Sequence, residues 1–134
     1  MAGYSAAPLA KKLSLRDGMR VFWPEMPEPV QAEIASAGLS FVRLDKPEPP
    51  VDAAHVFVTR RVDLEAAIQT IRPALAPAGL IWVSWPKKAS GLATEVGENE
   101  VRAAAFPSGL VDVKVCAVDD TWSGLKLVIR KALR

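Results

Sequence analysis

The stretch Gly79–Gly91, GLIWVSWPKKASG, decides the fold. Leu80, Ile81, Trp82 and Val83 are apolar at consecutive positions, between Gly79 before and Pro86 after. An unbroken apolar run of strand length needs cover on both faces, which predicts a central strand of a parallel sheet with helices on either side. It empties into a loop with Lys87, Lys88, Ser90 and Gly91. Loops at the carboxyl ends of strands are where α/β proteins keep their sites.

The chain around this strand has 134 residues, half of them hydrophobic and 24% charged, with a formal net charge of +2. That length and composition suit one globular domain spanning residues 1–134. The charge is too mild to argue for a nucleic-acid partner, which calls for many Lys and Arg on one face. Cys116 is the only cysteine, which excludes an intrachain disulfide and a cysteine-based zinc site. No run approaches the ~18 apolar residues of a membrane span. The opening MAGYSAAPLAKKL lacks the apolar core of a secretory signal, so a cytoplasmic location is the default expectation.

Upstream of the focal strand, residues 8–13 suit a short helix, with Pro8 in its first turn. Asp17-Gly18 turns the chain into a strand at residues 19–23. Pro24, Pro27 and Pro29 make the next loop stiff and poor in backbone donors. Val30, Ile34 and Ala37 recur at helical spacing before Gly38, which predicts a helix over 29–37. A strand over 39–44 follows, and the prolines of 45–52 make that segment a surface connection. HVFVT, residues 55–59, reads as the third strand. Asp63 is a natural N-cap for a helix whose apolar stripe is Leu64, Ala67, Ile68, Ile71 and Leu75, with Pro73 distorting its last turn.

Downstream, a weaker helix spans 99–106, with Val101, Ala104 and Ala105 inward. Val111, Val113, Val115 and Ala117 then alternate with Asp112, Lys114 and Cys116, giving a strand with one more apolar face. Leu125, Leu127 and Ile129 alternate in a last strand, and the turn at 119–124 is too short for a crossover, so the two pair antiparallel. The fold class is therefore α/β: three layers around a mainly parallel six-stranded sheet with a C-terminal antiparallel hairpin. The expected order by strand is Phe41, Val21, Phe57, Ile81, Leu127, Val113, with only the Leu127 strand reversed.

This arrangement resembles the Rossmann-like class I methyltransferase fold, whose final strand inserts antiparallel beside its predecessor. LRDGMRVFW, LAPAGLIWVSWP and LVDVKVCAVDDTWSGLKLV stand where that fold has its first, fifth, sixth and seventh strands. At the level of wording, WVSWPKKASG at 82–91, VDVKVCAVDDTWSGLKLV at 111–128 and the opening GYSAAPLAKKL resemble an uncharacterised bacterial family described only as a domain of unknown function. That family brings no activity with it.

The methyltransferase resemblance implies a glycine-rich turn after the first strand, where backbone approaches S-adenosylmethionine. Here residues 23–29 read WPEMPEP, without a glycine. Proline removes donors and Cβ atoms block close approach, so no cofactor is expected. Asp45, at the end of the second strand, stands where the resemblance puts a ribose-binding acid; a turn role is the alternative.

Other chemistry is thin. His55, the only histidine, begins a strand and assembles no Ser-His-acid or metal constellation by spacing, so a structural role is read for it. Cys116 is mid-strand without a motif neighbour and reads as a buried, inert thiol. Asp119 and Asp120 suit a solvated turn better than a cation site. Lys87, Lys88, Ser90 and Gly91 offer two cations, a hydroxyl and a glycine bend to a phosphate or carboxylate, although P-loop spacing is absent. Arg60 and Arg61 end the third strand facing the same crevice, and Trp85 and Trp122 sit at strand ends where indoles often mark contact surfaces. A solvated loop is the plain alternative. The sequence thus favours a non-catalytic binding or interaction module for a small anion or a protein, with self-association left open. The competing reading is a small S-adenosylmethionine-dependent methyltransferase with an atypical cofactor site.

Overall fold

The computed structural model describes residues 8–134, so most of the opening MAGYSAAPLAKKL, with the reading made of it, lies outside the described residues. Among these, six strands form one sheet: β1 Arg20–Phe22, β2 Val42–Arg43, β3 Val51–Phe57, β4 Leu75–Pro86, β5 Leu110–Ala117 and β6 Trp122–Ile129. The helices are α1 Leu9–Lys12, α2 Glu28–Ala35, α3 Arg61–Ile71 and α4 Glu98–Ala105. The sheet order is β2-β1-β3-β4-β6-β5. β2, β1, β3 and β4 pair parallel, and β6 lies antiparallel between β4 and β5. This is the expected order, with β6 inserted as in the methyltransferase-like fold.

Two apolar layers hold the sheet. One face carries Ala54, Val56, Ile81, Val83, Trp85, Leu125 and Leu127 against Leu64, Ile68 and Ile71 of α3 and Val101 and Ala105 of α4. The other carries Val21, Ala53, Leu80, Trp82 and Cys116 against Leu9 and Ala10 of α1 and Val30 and Ile34 of α2. β4 is thus covered on both sides, as its unbroken apolar run requires. Trp82 is 1% exposed and donates its indole N–H to Leu13 O at 2.9 Å, fastening the end of α1 to the sheet.

Several boundaries differ from those read in the sequence, each for a physical reason. β3 begins at Val51 and β4 at Leu75, where a proline-rich connection and a helix end were expected. The ladder pairs Val51 with Leu75 and next Ala53 with Leu80, so residues 76–79 bulge out of register and Pro77 owes it no hydrogen bond. Gly79 is obligatory at that bulge, because a Cβ there would lie 2.7 Å from Val51 O. β2 shrinks to two residues, because it is an edge strand that β1, three residues long, can pair only briefly. α3 ends at Ile71, and Pro73 takes the last turn as a 3₁₀ turn over Arg72–Ala74.

β5 carries a further irregularity. Asp112 faces Leu127 and Lys114 faces Lys126, so Val113 is an extra residue opposite nothing. The bulge sets Cys116 inward and leaves Val113 and Val115, on the expected apolar face, 52% and 49% exposed. No described helix is long and apolar enough to cross a membrane.

Candidate functional site

The loops at the carboxyl ends of β1, β3 and β4 form the edge where this topology builds its sites. The β1–α2 turn comes first. Trp23 and Met26 are buried in it, at 7% and 5% exposure, and Trp23 meets Phe41 edge-on at 5.1 Å between ring centres. Glu25 adopts a left-handed φ of +55°, a conformation glycine usually supplies. The turn is therefore anchored by side chains in the core beneath it and bends without a glycine. Asp45 lies exposed just past β2.

The β4–α4 loop keeps Lys87 half-buried and Lys88 exposed. A 3₁₀ turn over Lys88–Ser90 closes on Gly91, whose φ of +77° is the glycine bend expected there. Ser90 spends its hydroxyl inside the loop: it donates to Lys87 O at 2.6 Å and accepts from Leu92 N at 3.2 Å. Lys87 N donates to Thr121 O at 2.8 Å, tying this loop to the β5–β6 turn. That turn is shaped by Asp119, whose carboxylate accepts from the amides of Thr121 and Trp122, both at 2.8 Å.

Arg60 and Arg61 are exposed at the start of α3, with Arg60 in extended backbone as the N-cap residue. This corrects Asp63, which falls inside the first turn. The cap is supplied from elsewhere: the Glu95 carboxylate accepts from Arg61 N at 3.0 Å, and Glu95 N donates to Thr59 O at 2.8 Å. An internal carboxylate thus sits where the α3 dipole would attract an anion. The sequence reading missed Glu95, because only tertiary structure returns the loop to the end of β3.

The tryptophans part company. Trp85 is 9% exposed in the core beneath α3 and α4, a packing residue and not a contact surface. Trp122 is half-buried and meets Phe57 edge-on at 5.1 Å.

Lys12, Lys87 and Lys114 all lie near enough to Cys116 to favour its thiolate, although burial outweighs them and pushes the thiol up from its ordinary value. Lys12 Nζ also donates to Ala117 O at 3.1 Å. Cys116 remains a buried thiol with a raised pKa, hence inert. His55 has a partner the sequence did not announce: its Nε2 and Ser84 Oγ are hydrogen-bonded at 2.7 Å. Ser84 is fully buried and His55 is 2% exposed, and no acid joins them, so the pair is sealed away from substrate. Burial lowers the His55 pKa to about 3 and keeps the ring neutral. Among the described residues no group of three His, Cys, Asp or Glu is disposed to hold a metal.

Comparison with known proteins places this geometry. Residues 30–131 match the family described as "Protein of unknown function (DUF3052)". No curated protein matches the chain. Among solved structures, mitomycin 7-O-methyltransferase MmcR superposes with a TM-score of 0.64 at 13% identity, covering 84% of this chain and 49% of its own. A "putative type 11 methyltransferase" of Sulfolobus solfataricus gives 0.59 at 16% identity, covering 92% and 90%. Precorrin-6y C5,15-methyltransferase of Geobacter metallireducens gives 0.54 at 12%, covering 90% and 85%. The chain spans about half the length of MmcR and most of the other two. At such identities the likeness is one of fold.

Proposed function

We propose that this chain, which belongs to the family "Protein of unknown function (DUF3052)", is a non-catalytic binding module on a methyltransferase-like scaffold, taking an anionic ligand at the Lys87 loop. The observation that carries the first half is the β1–α2 turn. Trp23 and Met26 anchor it in the core, Glu25 holds the left-handed position where glycine would stand, and three prolines withhold amides, which argues against the close backbone approach that an S-adenosylmethionine carboxylate needs. The second half is supported by the lysines around the β5–β6 turn. Lys87 of the β4–α4 loop and Lys114 of β5 both favour the thiolate of Cys116, so positive charge from two separate elements reaches the same place. Like charges held near one another repel, by about 1 kcal/mol per pair at 4 Å in water, and a bound anion relieves that repulsion.

Calorimetry and thermal melts test both halves. S-adenosylmethionine should give no heat at micromolar protein; micromolar binding weakened by Asp45→Ala would overturn the reading in favour of an atypical methyltransferase. Inorganic phosphate should raise the melting temperature more than sodium chloride of equal ionic strength, because screening alone supplies no directed acceptors. Joint replacement Lys87→Ala and Lys88→Ala should remove that difference. A double variant that responds to phosphate like the wild type removes the Lys87 loop as the site.

A further inference from the structure

A second cleft opens on the α1/α2 side of the sheet, toward the amino ends of the parallel strands, away from the Lys87 loop. It is a solvent-open cleft of about 570 Å³, within the size range of small-molecule sites. Its walls are apolar: Leu15 and Met19 from the α1–β1 connection, Leu39 from beyond α2, and Leu80 of β4. One charged group reaches it from the sheet itself, Lys126 of β6, while Lys11 and Arg16 stand exposed at the rim.

Lys126 has an unusual set of neighbours. Its ammonium donates to Ser14 Oγ at 3.0 Å, the only hydrogen bond it makes among the described residues. The described ion pairs involve Arg20 with Glu48, and Arg102 with Glu98 and Asp112; none reaches Lys126. Its cross-strand partner is another lysine, Lys114, whose charge repels it. An ammonium has three donors, and one hydroxyl does not neutralise it. Ser14 is held at a φ of +63°, outside the usual range for a residue with a side chain, which aims its hydroxyl at this ammonium. The cleft thus joins an apolar body of space to one under-satisfied cation.

We propose that this cleft binds a small amphiphilic carboxylate, its hydrocarbon chain against Leu15, Met19, Leu39 and Leu80 and its carboxylate on Lys126. A neutral lipid would leave the ammonium unsatisfied, and a compact anion such as phosphate would leave the apolar walls wet. The proposal is independent of the Lys87 loop, which lies at the opposite edge.

Isothermal calorimetry with monomeric decanoate tests it, with acetate and decanol supplying head and chain separately. Wild type should bind decanoate more tightly than either. Lys126→Met keeps the chain length without the charge and should weaken decanoate about tenfold or more, the usual scale for losing a charged hydrogen bond. Ala37→Phe, at an exposed lining position, should weaken binding by filling the mouth while leaving the circular dichroism spectrum unchanged. The Lys87→Ala, Lys88→Ala variant should bind decanoate as wild type does. The proposal is overturned if wild type ignores decanoate, if decanol binds equally well, or if Lys126→Met binds decanoate with wild-type affinity.

Discussion

His55 Nε2 and Ser84 Oγ, 2.7 Å apart, join neighbouring parallel strands through the interior of the sheet layer. The residue directly opposite His55 is Trp82, and the serine lies two positions further along β4, on the same face. Phe57 stacks on the imidazole at 4.4 Å between ring centres, so the ring is walled on its flank and bonded at its tip. Ser84 was not legible as a partner, because neither residue belongs to a local motif.

Stability should fall as the solution is acidified through the range this pair controls. The folded pKa of about 3 lies below the ordinary 6.5, so the unfolded chain binds the proton first. The His55 contribution is complete above pH 6.5 and is lost as pH falls toward 3, by up to about 1.4 kcal/mol per unit. Urea midpoints from pH 7.5 to 4 should show this slope in wild type and a shallower one in His55→Phe. Equal slopes in the two proteins would mean the ring is not held neutral.

Two glycines should differ in what they tolerate. A Cβ on Gly124 would meet Ser84 Oγ at 3.0 Å and Trp82 Cε3 and Val118 Cγ2 at 3.2 Å, all side-chain atoms. Gly124→Ala should cost about 1–3 kcal/mol, the range for overpacking. At Gly79 the obstacle is backbone, Val51 O at 2.7 Å, with Ala76 O at 3.0 Å. Gly79→Ala should cost more than Gly124→Ala in chemical denaturation, and the reverse ranking would contradict the bulge.

Trp85 and Trp122 should separate in the same measurement. Trp85→Ala empties a core site and should cost about 3–5 kcal/mol, a large share of a small domain's stability. Trp122→Ala should cost clearly less, since Trp122 is only half-buried against Phe57.

Lys126 should be a liability in the unliganded protein. Burial, then Lys114, lowers its pKa below the usual lysine value. The unfolded chain therefore holds this proton more tightly, and wild-type stability should gain a component as pH rises toward 10.5. Lys126→Met should melt above wild type at neutral pH and lack that component. A variant melting below wild type would show that the bond to Ser14 outweighs the desolvation.

The topology was legible because β4 announces itself as a buried strand and the span between β5 and β6 permits only a hairpin. Boundaries were less so. Pro77 reads in sequence as closing off the helix before it, and only the bulge opposite Val51 shows how β4 carries it. The carboxyl-edge loops were readable as a place but not as a set of contacts. Glu95 reaches Arg61 across 34 positions and Lys12 reaches Ala117 across 105, and no local pattern encodes either. Trp85 was misplaced because a strand end in sequence need not be a surface in space.

The unpaired Val113 also governs how this chain can change length. Without Val113, Asp112 would be followed by Lys114 in plain alternation, still opposite Leu127 and Lys126. A one-residue deletion there would keep every downstream side chain on its present face. The same deletion within β6 would invert its outward and inward residues and bury Lys126 in place of Leu125 or Leu127. Relatives one residue shorter in β5 can therefore share this core unchanged, whereas β6 has no such slack.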